Sequence, residues 1–138
     1  MPATTAETIL DVADRLFTAI EKSDVAAVDR LWSSDIVVWR VGARRDNDKA
    51  LAMRVIDWFI GVTTERHYEI LDRRLFGESD GSDESVHGFV QQHILHATGH
   101  AGQSIAMRVC IVIRVGTNGL IERIDEYFDP AEITPLID

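Results

Sequence analysis

The sequence predicts an α+β fold: helices packed into a curled, mainly antiparallel sheet, with an apolar pocket inside the curl. Three observations carry this. Residues 4–62 repeat apolar side chains at helical spacing, interrupted by one β-branched run at 35–41. From residue 67 onward the period changes to two, in four successive segments. Clusters rich in Gly, Asn, Asp and Ser separate those segments. Helices that precede a run of hairpin-linked strands segregate to one face of a sheet. The sheet must curl to cover their apolar stripes.

The first helix opens at Thr4 and Glu7, a capping-box spacing in which hydroxyl and carboxylate satisfy the free amides of the first turn. Ile9, Ala13, Leu16, Phe17 and Ile20 follow on one stripe. Ser23 or Asp24 caps a short second helix, with Val25, Val28, Leu31 and Trp32 on its inner side. The run DIVVWRV at 35–41 is a strand by its β-branched and aromatic content. A polar loop covers 42–48. A third helix then sets Leu51, Val55, Trp58, Phe59 and Val62 on one stripe. Strands follow over 67–76, 86–96, 104–115 and 120–129. The first two flank the turn-rich ESDGSDES. The last two flank Asn118-Gly119, read as a two-residue hairpin turn with both residues at φ > 0. Pro130 and Pro135 bracket a tail with room for one helical turn.

A chain of 138 residues reads as one domain over 1–138. A chain of this size buries roughly two thirds of its unfolded surface, enough for a core without staples. The net charge of −9 argues against a nucleic-acid or anionic-membrane partner, because phosphate binding needs a basic surface. No apolar run approaches the roughly 18 residues of a membrane span. The opening MPATTAETIL lacks a charged-then-apolar leader, so a cytoplasmic location is expected. The single Cys110 excludes an intrachain disulfide and a cysteine-rich zinc site; in CIVIRV it reads as a buried, inert thiol. His87, His96 and His100 match no standard ligand spacing, so no metal is expected. There is no Gly-x-Ser-x-Gly elbow and no Gly-rich phosphate loop, and no cofactor is expected.

The chemistry concentrates in the last strand, IERIDEYFD. Side chains alternate along a strand, so Ile124, Glu126 and Phe128 share one face, and Asp125, Tyr127 and Asp129 the other. With the first face inward, Glu126 stands among apolar neighbours, poised for proton transfer. A one-residue slip would exchange the two sets. On the 86–96 strand Gln91, His93 and Leu95 share a face. If that face is also inward, His93 and Glu126 come within hydrogen-bonding reach, as a general base with its carboxylate orienter. The competing reading is a polar pair that fixes strand register. Trp39, Trp58 and Phe128 are the aromatic candidates for stacking on a ring-shaped ligand, with Leu95 and Val109 beside them. Trp58 serves equally well as core on its helical stripe.

The element order and three stretches, VADRLFTAIEKSDVAAVDRLWSSDIVVW, VQQHILHATGHAGQ and GLIERIDEYFD, resemble the SnoaL-like branch of the nuclear transport factor 2-like superfamily. That superfamily also holds polyketide cyclases, ketosteroid isomerases and limonene epoxide hydrolases. The resemblance covers nearly the whole chain. It implies a cone-shaped sheet with a pocket inside the cone, and a homodimer through the sheet's outer face. The limonene epoxide hydrolases carry Arg-x-Asp on a middle strand and an Asp on the last strand. Here Gln91 and His93 stand at the first two positions and Glu126 at the third. The ketosteroid isomerases carry an Asp base near the first strand, where this chain has Val37, Val38 and Trp39. Neither acid set is complete, which weakens both specific activities.

Two functions follow. The first is a cofactor-free proton-transfer enzyme of isomerase, cyclase or hydrolase type, acting on a small, largely apolar molecule. His93 would be the base, Glu126 its orienter or the acid, and Gln91 the donor to a substrate oxygen. The second is a non-catalytic module for small-molecule binding or dimerisation.

Overall fold

The computed structural model of the chain describes residues 5–79 and 84–137. The elements in chain order are α1 (Ala6–Glu21), α2 (Val25–Leu31), β1 (Trp32–Arg40), α3 (Lys49–Val62), β2 (Thr63–Ser79), β3 (Glu84–Gly99), β4 (Ser104–Val115), β5 (Ile121–Phe128) and a 3-10 helix, Pro130–Leu136. The strands form one sheet in the order β1-β5-β4-β3-β2. Strands β2 to β5 pair antiparallel with their neighbours. β1 joins parallel to β5, so the sheet is mixed rather than antiparallel throughout. The chain segment between them, from α3 to β4, is long enough for the crossover a parallel pair requires.

Capping sets the helix starts. Thr5 Oγ1 accepts from the Thr8 amide at 3.2 Å and caps α1. The expected cap at Thr4 lies outside the described residues. Asp24, not Ser23, caps α2 by accepting from Ala27 N–H at 3.1 Å. Ser23 instead takes φ 61 at the corner between the two helices. Asp48 caps α3 through Leu51 N–H at 2.9 Å. Trp32 opens β1 instead of closing α2, and only 3% of it is exposed. Burial of a large ring outweighs the weak helical preference of one end residue.

Buried α1 residues Ile9, Leu16 and Phe17 pack against the concave face of the sheet. Ile105, Met107, Val109, Ile111, Ile113 and Val115 supply that face from β4 by strict alternation. Each such buried side chain contributes roughly 1.5–3 kcal/mol relative to exposure. Arg66 ties the helices to β2. Its Nε donates to the Ile20 carbonyl at the end of α1 at 2.8 Å, and its guanidinium also reaches Thr63 and Ser23 Oγ. A cation there satisfies carbonyls that a helix end leaves open.

The β4–β5 connection differs from a two-residue turn. Gly119 has φ 79, whereas Asn118 is not among the described residues with positive φ. Gly119 N–H donates to the Gly116 carbonyl at 2.9 Å, and Leu120 N–H to Asn118 Oδ1 at 3.0 Å. The Asn side chain does the work its backbone was expected to do. No helix among the described residues is long and apolar enough to cross a membrane.

Candidate active site

The curl of the sheet and the helices enclose a cavity of about 300 Å³. Leu16, Phe17 and Ile20 of α1 and Ile56, Trp58 and Phe59 of α3 form one side. Leu95, Met107, Ile111 and Ile124 of the sheet form another. Phe128, Pro130 and Ile133 close the C-terminal side. Apart from the Trp indoles, the polar side chains on this wall are Arg40, Tyr68 and Glu126.

Strand alternation puts Arg40 and Glu126 there together. Ile36 and Val38 are buried, so Arg40 is the next inward residue of β1. Arg40 is paired in register with Glu126 of β5. Its Nε donates to Glu126 Oε1 at 3.1 Å, and the two side chains remain 18% and 24% exposed. The carboxylate is therefore reachable from the cavity. Arg40 Nη1 is buried and has no hydrogen-bond partner among the described residues. Such an atom costs about 1–3 kcal/mol in an otherwise satisfied interior.

Tyr68 stands on β2, with its backbone N–H donating to Glu21 Oε2 at 2.8 Å. Burial, then the negative charges of Glu126 and Glu21, push its phenol far above the ordinary value. It is held as a neutral O–H, able to donate to an oxygen on which charge develops.

His93 and Gln91 sit behind this wall. They are 1% and 0% exposed and do not line the cavity. The expected bond between His93 and Glu126 is replaced by two separate ones. Glu126 takes Arg40 as its partner, and His93 Nδ1 lies 2.9 Å from Gln91 Nε2. Gln91 Oε1 accepts from Arg73 Nε at 2.7 Å. Burial first, and the nearby Arg73 charge second, lower His93 to about 4. A histidine so shifted is neutral at pH 7 and a weak base.

Among the apolar candidates, Trp58, Leu95 and Phe128 line the cavity. Trp39 does not. It follows inward Val38 and so points to the convex face, where its ring lies 5.2 Å from Tyr127 and its Nε1 donates to the Ala43 carbonyl at 2.9 Å. Val109, 1% exposed, belongs to the packed core rather than to the cavity. Arg40 and Tyr68 escaped the sequence reading. Arg40 was legible from the alternation Ile36, Val38, Arg40. Tyr68 had no such signal, because β2 is irregular between Ile70 and Asp72 and does not alternate cleanly. No group of His, Cys, Asp and Glu able to hold a metal ion occurs among the described residues.

The model of the SnoaL-like domain matches residues 13–124, from within α1 to the middle of β5. The chain belongs to the SnoaL-like domain family. This SnoaL-like domain shares its fold with solved structures at low identity. PrhC from Penicillium brasilianum superposes with a TM-score of 0.76 at 13% identity, covering 97% of this chain and 88% of that one. An LEH-like epoxide hydrolase from M. tuberculosis gives 0.68 at 20% identity, covering 96% and 91%. SalBIII, an epoxide hydrolase/cyclase-like enzyme in pyran ring formation in polyether salinomycin, gives 0.72 at 13% identity, covering 91% and 94%. No curated protein sequence matches this SnoaL-like domain.

Proposed function

We propose that the cavity binds a small, uncharged, largely apolar molecule bearing one oxygen function, and catalyses proton transfer on it. The observation that carries this is the accessible Glu126 carboxylate, oriented by Arg40, in an otherwise apolar cavity with Tyr68. Arg40 and Glu126 cancel in charge, which favours a neutral ligand. Glu126 acts as general base, removing a proton from an acidic C–H or from a water that attacks the substrate. Tyr68 donates to the substrate oxygen as negative charge grows there. The proton on Glu126 then returns to product. The reaction is of isomerase, cyclase or hydrolase type. The solved epoxide hydrolase and cyclase-like relatives support this range through the shared fold alone.

Two neutral probes test it: exchange of the α-protons of 2-tetralone in D2O, followed by NMR, and hydration of styrene oxide. The expected result is a rate above buffer for one of them, lost by roughly 10²–10⁴-fold in Glu126→Gln. Binding of both probes with rates equal to buffer would move the site to the second reading, a non-catalytic binding module. That reading draws on the Arg73–Gln91–His93 hydrogen bonds, which occupy Nδ1 of His93.

The same proposal includes a homodimer through the convex face of the sheet. Cys110 and Val112 are partly exposed there, and Tyr127 is 48% exposed. Sedimentation of the full chain at micromolar concentration checks it.

A further inference from the structure

We infer that His93 is a positioning residue: the chain Asp14–Arg73–Gln91 locks it as the neutral imidazole protonated at Nε2, and its ring holds Tyr68 at the cavity wall. This rests on the reading of Tyr68 as the donor to substrate.

The tautomer follows from donor and acceptor bookkeeping along the chain. A guanidinium has only donors. Arg73 Nε–H donates to the Gln91 side chain at 2.7 Å, so the atom facing it is the amide oxygen. The amide NH2 is then turned toward His93, 2.9 Å from Nδ1. An amide nitrogen does not accept, so Nδ1 must. A neutral imidazole that accepts at Nδ1 carries its hydrogen at Nε2. Flipping the amide would set NH2 against the guanidinium and oxygen against Nδ1, losing the Arg73 bond. Protonating Nδ1 would set two donors against each other. Arg73 is itself held by Asp14, with Nη1 donating to Oδ1 at 2.8 Å, and its guanidinium carbon lies 5.6 Å from the Phe89 ring centre. The chain thus links α1, β2 and β3, with donation running outward from Arg73, to Asp14 on one side and through Gln91 to His93 on the other.

The ionisable groups around His93 are Arg73 and Tyr68 from β2 and, through Arg73, Asp14 from α1. The low value of about 4 agrees with an acceptor-only Nδ1 in a buried place.

The second half of the inference comes from the rings. His93 meets Tyr68 edge-on, at 5.0 Å and 87°, and Phe17 at 5.5 Å and 65°. Phe17 and Tyr68 lie 4.8 Å apart, and both line the cavity. Edge-to-face rings hold one another in defined orientations. A fixed His93 therefore fixes the ring that carries the phenol.

The test uses the 15N-labelled full chain and long-range proton–nitrogen spectra of its histidine rings. For His93 the expected spectrum has a pyrrole-type Nε2 and an unprotonated Nδ1, unchanged between about pH 5 and 8. Gln91→Glu should move a proton onto Nδ1, because a carboxylate accepts from both Arg73 and the imidazole. His93→Ala should shift the Tyr68 ring resonances and lower kcat roughly tenfold with little change in KM, and His93→Phe should restore most of both. An Nδ1–H tautomer in the wild type, or a ring titrating near 6.5, overturns the locked tautomer. Unmoved Tyr68 resonances in His93→Ala overturn the positioning role. The spectra need no substrate, and Glu126→Gln should leave the His93 signals as they are. Failure here is therefore separable from failure of Glu126 as the base.

Discussion

Arg40 and Glu126 face each other across the parallel β1–β5 pair, share a hydrogen bond of 3.1 Å, and both line the cavity. The pairing of the first and last strands therefore builds the polar end of the site. Arg40→Met should leave Glu126 without its partner. Stability should fall by about 1–2 kcal/mol, less than for a fully buried pair because both groups keep some water contact. Turnover of the responsive probe should fall at least as steeply as stability predicts. Urea unfolding and initial rates check the two effects.

Tyr68 packs by its ring against Phe17 and, in the proposed mechanism, donates by its hydroxyl. Tyr68→Phe should keep the contact with Phe17 and lose the donor. We expect a loss of roughly 10²–10³ in kcat with a nearly unchanged melting temperature. An unchanged kcat would remove Tyr68 from the mechanism.

The shifted His93 makes stability depend on pH. Its folded value is about 4 against an ordinary 6.5, so between those two pH values the unfolded chain binds a proton that the folded chain refuses. Stability is then complete above about 6.5 and falls as the pH drops toward 4, by up to the order of 3 kcal/mol. Thermal melts of the wild type and His93→Phe across this window should converge toward the acid end as the wild type alone loses that increment. Asp46, held low by its bond to Arg123, acts only at lower pH.

Arg66 supplies donors to Ile20 and Thr63 that no apolar side chain can replace. Arg66→Met should cost about 2–4 kcal/mol, because carbonyls at the end of α1 lose their partner. For a chain of this length the melting temperature should drop by roughly 10 °C. Differential scanning calorimetry measures it.

Two tryptophans should behave oppositely. Trp58 lines the cavity and is 40% exposed, whereas Trp39 lies on the convex face. Trp58→Ala should weaken 2-tetralone binding by roughly tenfold, the loss of about 1.4 kcal/mol of ring contact. Trp39→Ala should leave binding within about twofold and act instead on association between copies. NMR titration and sedimentation separate the outcomes.

Element types were legible because each depends on local periodicity. The stripe of α1, the alternation of β4 and the change of period after α3 all appear in the sequence and recur in the structure. Boundaries were less legible. Trp32 moved from helix to strand because its ring is buried by distant residues, and the Asn118-Gly119 turn lengthened because an Asn side chain can replace a backbone donor–acceptor contact. Within the site, the face carrying Ile124, Glu126 and Phe128 was readable from alternation. Trp39 was misplaced by one residue's parity, and Arg40 took its place.

Local sequence alone determined the helices, the strands and which side chains share a face, because those follow from periods of 3.6 and 2. Which face meets which was decided only in three dimensions. Glu126 could have met His93 or Arg40. β1 entered beside β5, and that put a guanidinium within 3.1 Å of the carboxylate and left His93 to Gln91. Pairing between strands some 86 residues apart depends on the packing of the whole sheet against α1 and α3, and no local pattern encodes that choice.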